Sequence, residues 1–105
     1  MFRNEKIAAN ISQLAAEFTR GLIKNAFITV TRVDLSDTGE HATILCTVFP
    51  ETQQDSALSV LQKEMGAFRR FVSGKMRIKK IPSLAFALDI GEENRRIVEE
   101  LLKKT

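Results

Sequence analysis

Between Gly66 and Phe86 the apolar residues change period, and that change restricts the chain to a fold mixing helix and sheet. Phe68, Phe71, Val72 and Met76 keep helical spacing, whereas Leu84, Phe86 and Leu88 alternate with Ala85 and Ala87 as in a strand. The handover is expected near Ile81-Pro82, because proline disfavours helix in the residue before it. Charge gathers at the same place. From Arg69 to Lys80 there are six cations (Arg69, Arg70, Lys75, Arg77, Lys79, Lys80) and no acid. From Asp34 to Gln62 there are five acids and no Lys or Arg, so the net charge of +3 hides a polarised molecule. Cations converging at a helix end and the loop after it suit a polyanion. The same cluster is also what a solvated helix end looks like, where Lys and Arg oppose the C-terminal dipole.

The flanking segments fill in the order. Ile7, Ala8, Ile11, Leu14, Ala15, Phe18 and Leu22 are spaced by three and four, which predicts one amphipathic helix starting at an Asn4 cap, with Gly21 near its end. Arg3, Lys6, Arg20 and Lys24 lie off that stripe. Residues 27–35, rich in β-branched side chains, and residues 41–49, which alternate cleanly, predict two strands joined through Ser36-Asp37-Thr38-Gly39 as an antiparallel hairpin. The first strand loses phase around Thr31 to Val33: Arg32 falls on the Ile28/Val30 face, which predicts a bulge or an inward charge. After Pro50 a second helix, capped by Asp55 or Ser56, carries the stripe Leu58, Leu61, Met65, Phe68, Val72. Gly66 interrupts that stripe and predicts a kink or a close backbone approach, with a tolerated packing glycine as the plainer reading. A third strand follows over residues 83–89, and a last helix over residues 92–103 with Ile97, Val98, Leu101 and Leu102 on one side. The fold class expected is α+β in two layers, a three-stranded sheet covered on one face by helices, in the order α-β-β-α(kinked)-β-α, as one domain over residues 1–105.

Several function classes lose support from the residue inventory. Cys46 is the only cysteine, which excludes an intrachain disulfide and a cysteine-based metal site. His41 is the only histidine; on one strand five residues from Cys46 it points to the opposite face, so the two form no nucleophile and base pair. Asp34, Asp37 and Glu40 match no dedicated cation loop and read as a turn-forming set. There is no P-loop, dinucleotide fingerprint or paired catalytic motif. No apolar run approaches a membrane span and nothing at the start reads as a signal segment, so a cytoplasmic protein with no membrane contact is expected. A pI near 9.3 favours a polyanionic partner.

Three blocks of sequence carry a resemblance. They are Arg3-x-x-Lys6-Ile7, then Ser36-x5-Ala42-x-Ile44, then the segment LQKEMGAFRRFVSGKMRIKKIPSLAFALD. In the last, Gly66, Arg69, Gly74, Lys75, Arg77, Ile81, Pro82, Leu84, Phe86 and Asp89 fall at family spacing. Over nearly its whole length the chain resembles the ribosome-binding factor A family of bacterial ribosome-maturation proteins, which have a type II K-homology fold. The resemblance implies binding to the small (30S) ribosomal subunit and its 16S rRNA in late assembly, with no catalysis, no cofactor and no small-molecule substrate, by a protein expected to act as a monomer. It also implies that the usual G-x-x-G phosphate loop is replaced by a helix-kink-helix with alanine two residues before glycine. Here the glycine is Gly66 and the alanine position is Glu64. A second departure is the short link between Lys24 and Ala26, a single Asn25, and almost no tail is expected beyond the last helix.

The expected RNA-binding set is Arg69, Arg70, Lys75, Arg77, Lys79 and Lys80, joined by Arg3 and Lys6 if the first helix packs alongside, with Arg20 and Lys24 as possible extensions. Without Trp or Tyr, and with most of the seven Phe on buried stripes, recognition is expected through phosphates and RNA shape rather than base stacking. Two alternatives stand beside this one. One is a protein-interaction module using a sheet edge, where Thr43, Leu45, Thr47 and Phe49 form an outer row. The other is a general K-homology-like RNA binder acting outside the ribosome.

Overall fold

A computed structural model describes residues 2–90. Helix α1 (Phe2–Thr19) leads into strands β1 (Phe27–Leu35) and β2 (His41–Phe49). A 3-10 turn (Glu51–Gln53), helices α2 (Gln54–Lys63) and α3 (Met65–Lys75), and strand β3 (Ser83–Leu88) follow. The expected last helix lies outside the described residues.

The sheet runs β1-β2-β3, with β1 antiparallel and β3 parallel to β2. The hairpin turn is held by Ser36, whose hydroxyl accepts from the N–H groups of Glu40 (3.1 Å) and His41 (3.0 Å). Gly39 sits in it at φ 75, a conformation that glycine adopts without a Cβ clash. The phase loss in β1 is a bulge: Val30 opposes Cys46 and Arg32 opposes Leu45, leaving Thr31 as the extra residue. A shift of one residue exchanges faces, so Arg32 points away from the core and Val33 and Leu35 return to it. Arg32 Nε then meets Asp34 Oδ1 at 3.2 Å on the outer surface. The bulge also places the Thr31 hydroxyl 2.6 Å from Asp89 Oδ2 and 3.1 Å from the Leu45 carbonyl, with the shorter, charge-assisted donation to Asp89 the stronger.

The inner sheet face supplies Ala42, Ile44, Cys46 and Phe86 to the core, and the helices supply Ile11, Ala15, Leu61, Phe68 and Val72. Helix α1 packs across β1 and beside α3, while α2 lies over β3 and β2. Phe68 is the hub: its ring lies 5.1 Å from Phe18 of α1 and 5.1 Å from Phe86 of β3, with Phe71 a further 5.7 Å from Phe18. Three elements are thereby fixed to one another by tilted ring pairs, a preferred aromatic geometry.

Three local expectations change. Helix α1 begins at Phe2, one turn before a cap at Asn4 would allow, and Asn4 Oδ1 instead lies 3.5 Å from where a Gly39 side chain would begin, beside the hairpin turn. Helix α2 starts at Gln54 with no side-chain cap from Asp55 or Ser56, because the 3-10 turn runs directly into it and Glu51 O accepts from the Gln54 N–H. Leu45, expected in an open outer row, is 3% exposed, while Phe27 and Phe49, register partners on that same face, are 76% and 69% exposed.

The helix break falls at Glu64 (φ −91, ψ 7), which ends α2 and precedes α3. Gly66 lies within the first turn of α3, and a Cβ there would meet only Arg70 Nη1, at an ordinary 3.6 Å. The glycine therefore allows no close backbone approach. Gly66→Ala is expected to leave the fold intact and to raise stability by about 0.5–1 kcal/mol through lower unfolded-state entropy, measured by urea unfolding. A loss above ~1 kcal/mol would show that the backbone there needs glycine.

Candidate nucleic-acid interface

On α1, Arg3, Lys6 or Ile7, Asn10, Gln13 or Leu14, and Glu17 recur every three to four residues, so they line one strip of the helix. Facing it is the chain leaving α3. Gly74 weakens the last helical turn, Met76 turns to extended backbone (φ −97, ψ 136), and its N–H still donates to Val72 O at 2.9 Å. Extended backbone alternates its side chains, which leaves Met76 and Ile78 half-buried and Arg77 exposed between them, while Lys75, the last residue of α3, is exposed as well. Between strip and segment lies a cleft of about 740 Å³ whose lining includes Ile7, Leu14, Met76 and Ile78 together with Arg3, Lys6, Lys75 and Arg77. Asn10, Gln13 and Glu17 complete the α1 side.

A smaller cleft of about 310 Å³ adjoins it, sharing Arg3 and Ile7 and adding Lys80, Ile81 and Pro82 on one side and Thr38, Gly39 and Glu40 of the hairpin turn on the other. Arg3 thus stands in both, with Lys75 and Arg77 across one cleft and Lys80 across the next. Among the described residues, Arg3, Lys6, Arg77 and Lys80 make no ion pair. The Lys75 ammonium rests 5.9 Å from the centre of the Phe71 ring, at the outer range of a cation–π contact. Unpaired like charges repel one another in the free protein, and a bound polyanion removes that cost.

The basic run is therefore not one patch. Arg69 and Arg70 are exposed on α3 and line neither cleft, with Arg70 folded back toward Gly66. Lys79 is exposed between the clefts' contributors but lines neither. Arg20 and Lys24 line a separate cleft of about 600 Å³ with the start of β1. Sixteen residues of helix rise separate Arg3 from Thr19, roughly 24 Å. Sequence reasoning missed Asn10, Gln13 and Glu17, although their spacing beside Ile7 and Leu14 was available as a signal.

Other chemistry finds little footing. Cys46 is fully buried, its Sγ 3.6 Å from Ala87 O, and burial, with a smaller contribution from the Asp89 carboxylate, pushes its thiol from an ordinary 9.0 up to about 11. A thiol held protonated is a poor nucleophile. Cys46 is expected to resist a disulfide reagent at pH 8 in the folded protein and to react fully in urea; rapid native reaction would contradict its burial. The unfolded thiol ionises first, so this group lowers stability as pH rises from 9.0 toward about 11. Among the described residues no His, Cys, Asp and Glu group is placed to hold a metal, and no helix is long and apolar enough to cross a membrane.

The family model for ribosome-binding factor A matches residues 3–102. Ribosome-binding factor A of Geobacter metallireducens is 32% identical over 106 residues, covering 97% of this chain and 90% of that protein. The protein of the same name from Natranaerobius thermophilus is 30% identical over 107 residues, covering 97% and 81%. The crystal structure of ribosome-binding factor A from Thermus thermophilus superimposes with a TM-score of 0.71 over 81% of this chain and 93% of that one, at 22% identity.

Proposed function

The chain belongs to the ribosome-binding factor A family, and from that premise we propose that it binds the small ribosomal subunit through 16S rRNA during late maturation, as a monomer that holds an RNA conformation and catalyses no reaction. The observation behind this reading is the cleft between α1 and residues 75–78, where Arg3, Lys6, Lys75 and Arg77 meet around one opening. Four cations from two distant parts of the sequence converge there. Guanidinium groups suit bidentate phosphate contacts, so Arg3 and Arg77 set the geometry, while Lys6 and Lys75 add attraction without strict direction. Lys80 extends the track through Arg3. Arg69 and Arg70 act as longer-range attraction from the exposed side of α3, where the C-terminal helix dipole also favours cations near Lys75.

Pelleting with purified subunits tests the reading. The protein is expected to sediment with small subunits and not with large ones at about 100 mM salt, and to be released as salt rises. Equal sedimentation with both would mean that it recognises RNA in general and not this particle.

A protein-interaction surface has one observation on its side, the exposed pair Phe27 and Phe49 on the sheet face away from the helices. That pair lies at the far end of β2 from the hairpin turn, which borders the smaller basic cleft.

A further inference from the structure

Phosphate binding alone does not call for a cavity, since a flat row of cations serves a backbone equally well. The space between α1 and residues 75–78 is about 740 Å³, within the range of ligand pockets. Its apolar lining comes from Ile7, Leu14, Met76 and Ile78, all half-buried. Such a surface can cover the flat face of a base, and Met76 brings a polarisable thioether to that contact. Beside it, on the exposed strip of α1, stand Asn10 and Gln13, three residues apart, and Glu17 one turn on.

Those three polar groups divide the site. A carboxamide carries a donor and an acceptor together and pairs bidentately with adenine through N6 and N7. A carboxylate accepts only, so Glu17 favours an exocyclic amino group and repels phosphate. Arg3 and Lys6 stand about four and three turns before Glu17 on α1, so phosphates are favoured toward their end of the cleft.

Resting on the RNA-binding reading above, we propose that this cleft is a pocket for one unpaired adenosine, its base over Ile7, Leu14, Met76 and Ile78, its edge on Asn10 and Gln13, and its flanking phosphates on the cations. Aliphatic side chains take the place of the aromatic platform that the chain lacks here. Uracil fits less well, because it offers no amino group to Glu17 and a carbonyl in its place.

The test uses three RNA hairpins of one stem sequence: fully paired, with a single bulged A, and with a single bulged U. Fluorescence anisotropy with the full chain is expected to show the bulged-A hairpin binding about tenfold or more tighter than the other two. Asn10→Ala/Gln13→Ala, at exposed helical positions where alanine is compatible with folding, is expected to erase the preference. Its circular-dichroism spectrum and melting temperature are expected to match those of the wild type, which separates a lost preference from a lost fold. Equal affinity for the three hairpins, or a preference that survives the double substitution, overturns the pocket while leaving phosphate binding standing. Failure to bind any hairpin with a salt dependence overturns the RNA reading and the pocket with it.

Discussion

Replacing Phe68 with alanine is expected to remove about 3–5 kcal/mol of folding stability, the largest single-residue loss in this core. The side chain is fully buried, and among the described residues it alone joins the rings of Phe18 and Phe86, each 5.1 Å away on a different element. Truncation leaves a cavity where α1, α3 and β3 meet. Against a typical total of about 5–15 kcal/mol, that loss leaves the domain marginal or unfolded at 37 °C. Thermal denaturation followed by circular dichroism is expected to show a fall of roughly 10–30 °C. Phe68→Leu keeps most of the volume and is expected to lose only about 1–2 kcal/mol. A fall of a few degrees for Phe68→Ala would place the hub of the core elsewhere.

The second large effect belongs to the cleft. Lys75→Glu/Arg77→Glu places two carboxylates opposite Arg3 and Lys6 and is expected to weaken binding to small subunits on the order of 100-fold at about 100 mM salt. The slope of log affinity against log salt is expected to flatten by roughly 1.4 to 1.8, since each of the two lost phosphate contacts removes about 0.7–0.9. Lys79→Glu changes charge just two residues from Arg77 but outside the cleft. Its expected effect is a few-fold, through long-range attraction alone. Both variants alter exposed side chains and keep the fold. Equal losses in the two would mean that the run acts through total charge and that the cleft has no special part.

That contrast marks how far the residues speak before they are folded. The hairpin and its bulge were legible because one arginine out of phase leaves few choices: either a charge enters the core or the register slips. Arg32 opposite Leu45 is the slip. The ring contacts of Phe68 follow from a stripe that spacing alone reveals. Which cations share an opening was not legible, because Lys75 and Arg77 meet Arg3 and Lys6 only through the packing of α1 beside α3. Consecutive positions such as Arg69 and Arg70 also diverge by about 100° around a helix, so a run of charge in sequence is not a patch in space. The helix break, expected over Glu64 and Gly66, falls at Glu64 itself. Gly66 is the local residue that most favours a break, yet the chain turns at Glu64, and the open surroundings of Gly66 show that tertiary packing did not require a glycine there. Leu45 was assigned to an open row by alternation, which reports the face of a strand and not what lies above it.

Lysine footprinting of the protein bound to small ribosomal subunits reports directly which of its surfaces the RNA covers. Acetylation rates of Lys6, Lys75 and Lys80 are expected to fall severalfold on binding, whereas Lys24 and Lys63, away from the two adjoining clefts, keep the rates of the free protein. Protection confined to Lys24, next to the exposed Phe27 end of the sheet, with Lys6 and Lys75 still reactive, would rule out the cleft beside α1 as the binding surface and move that surface to the Phe27 end of the sheet.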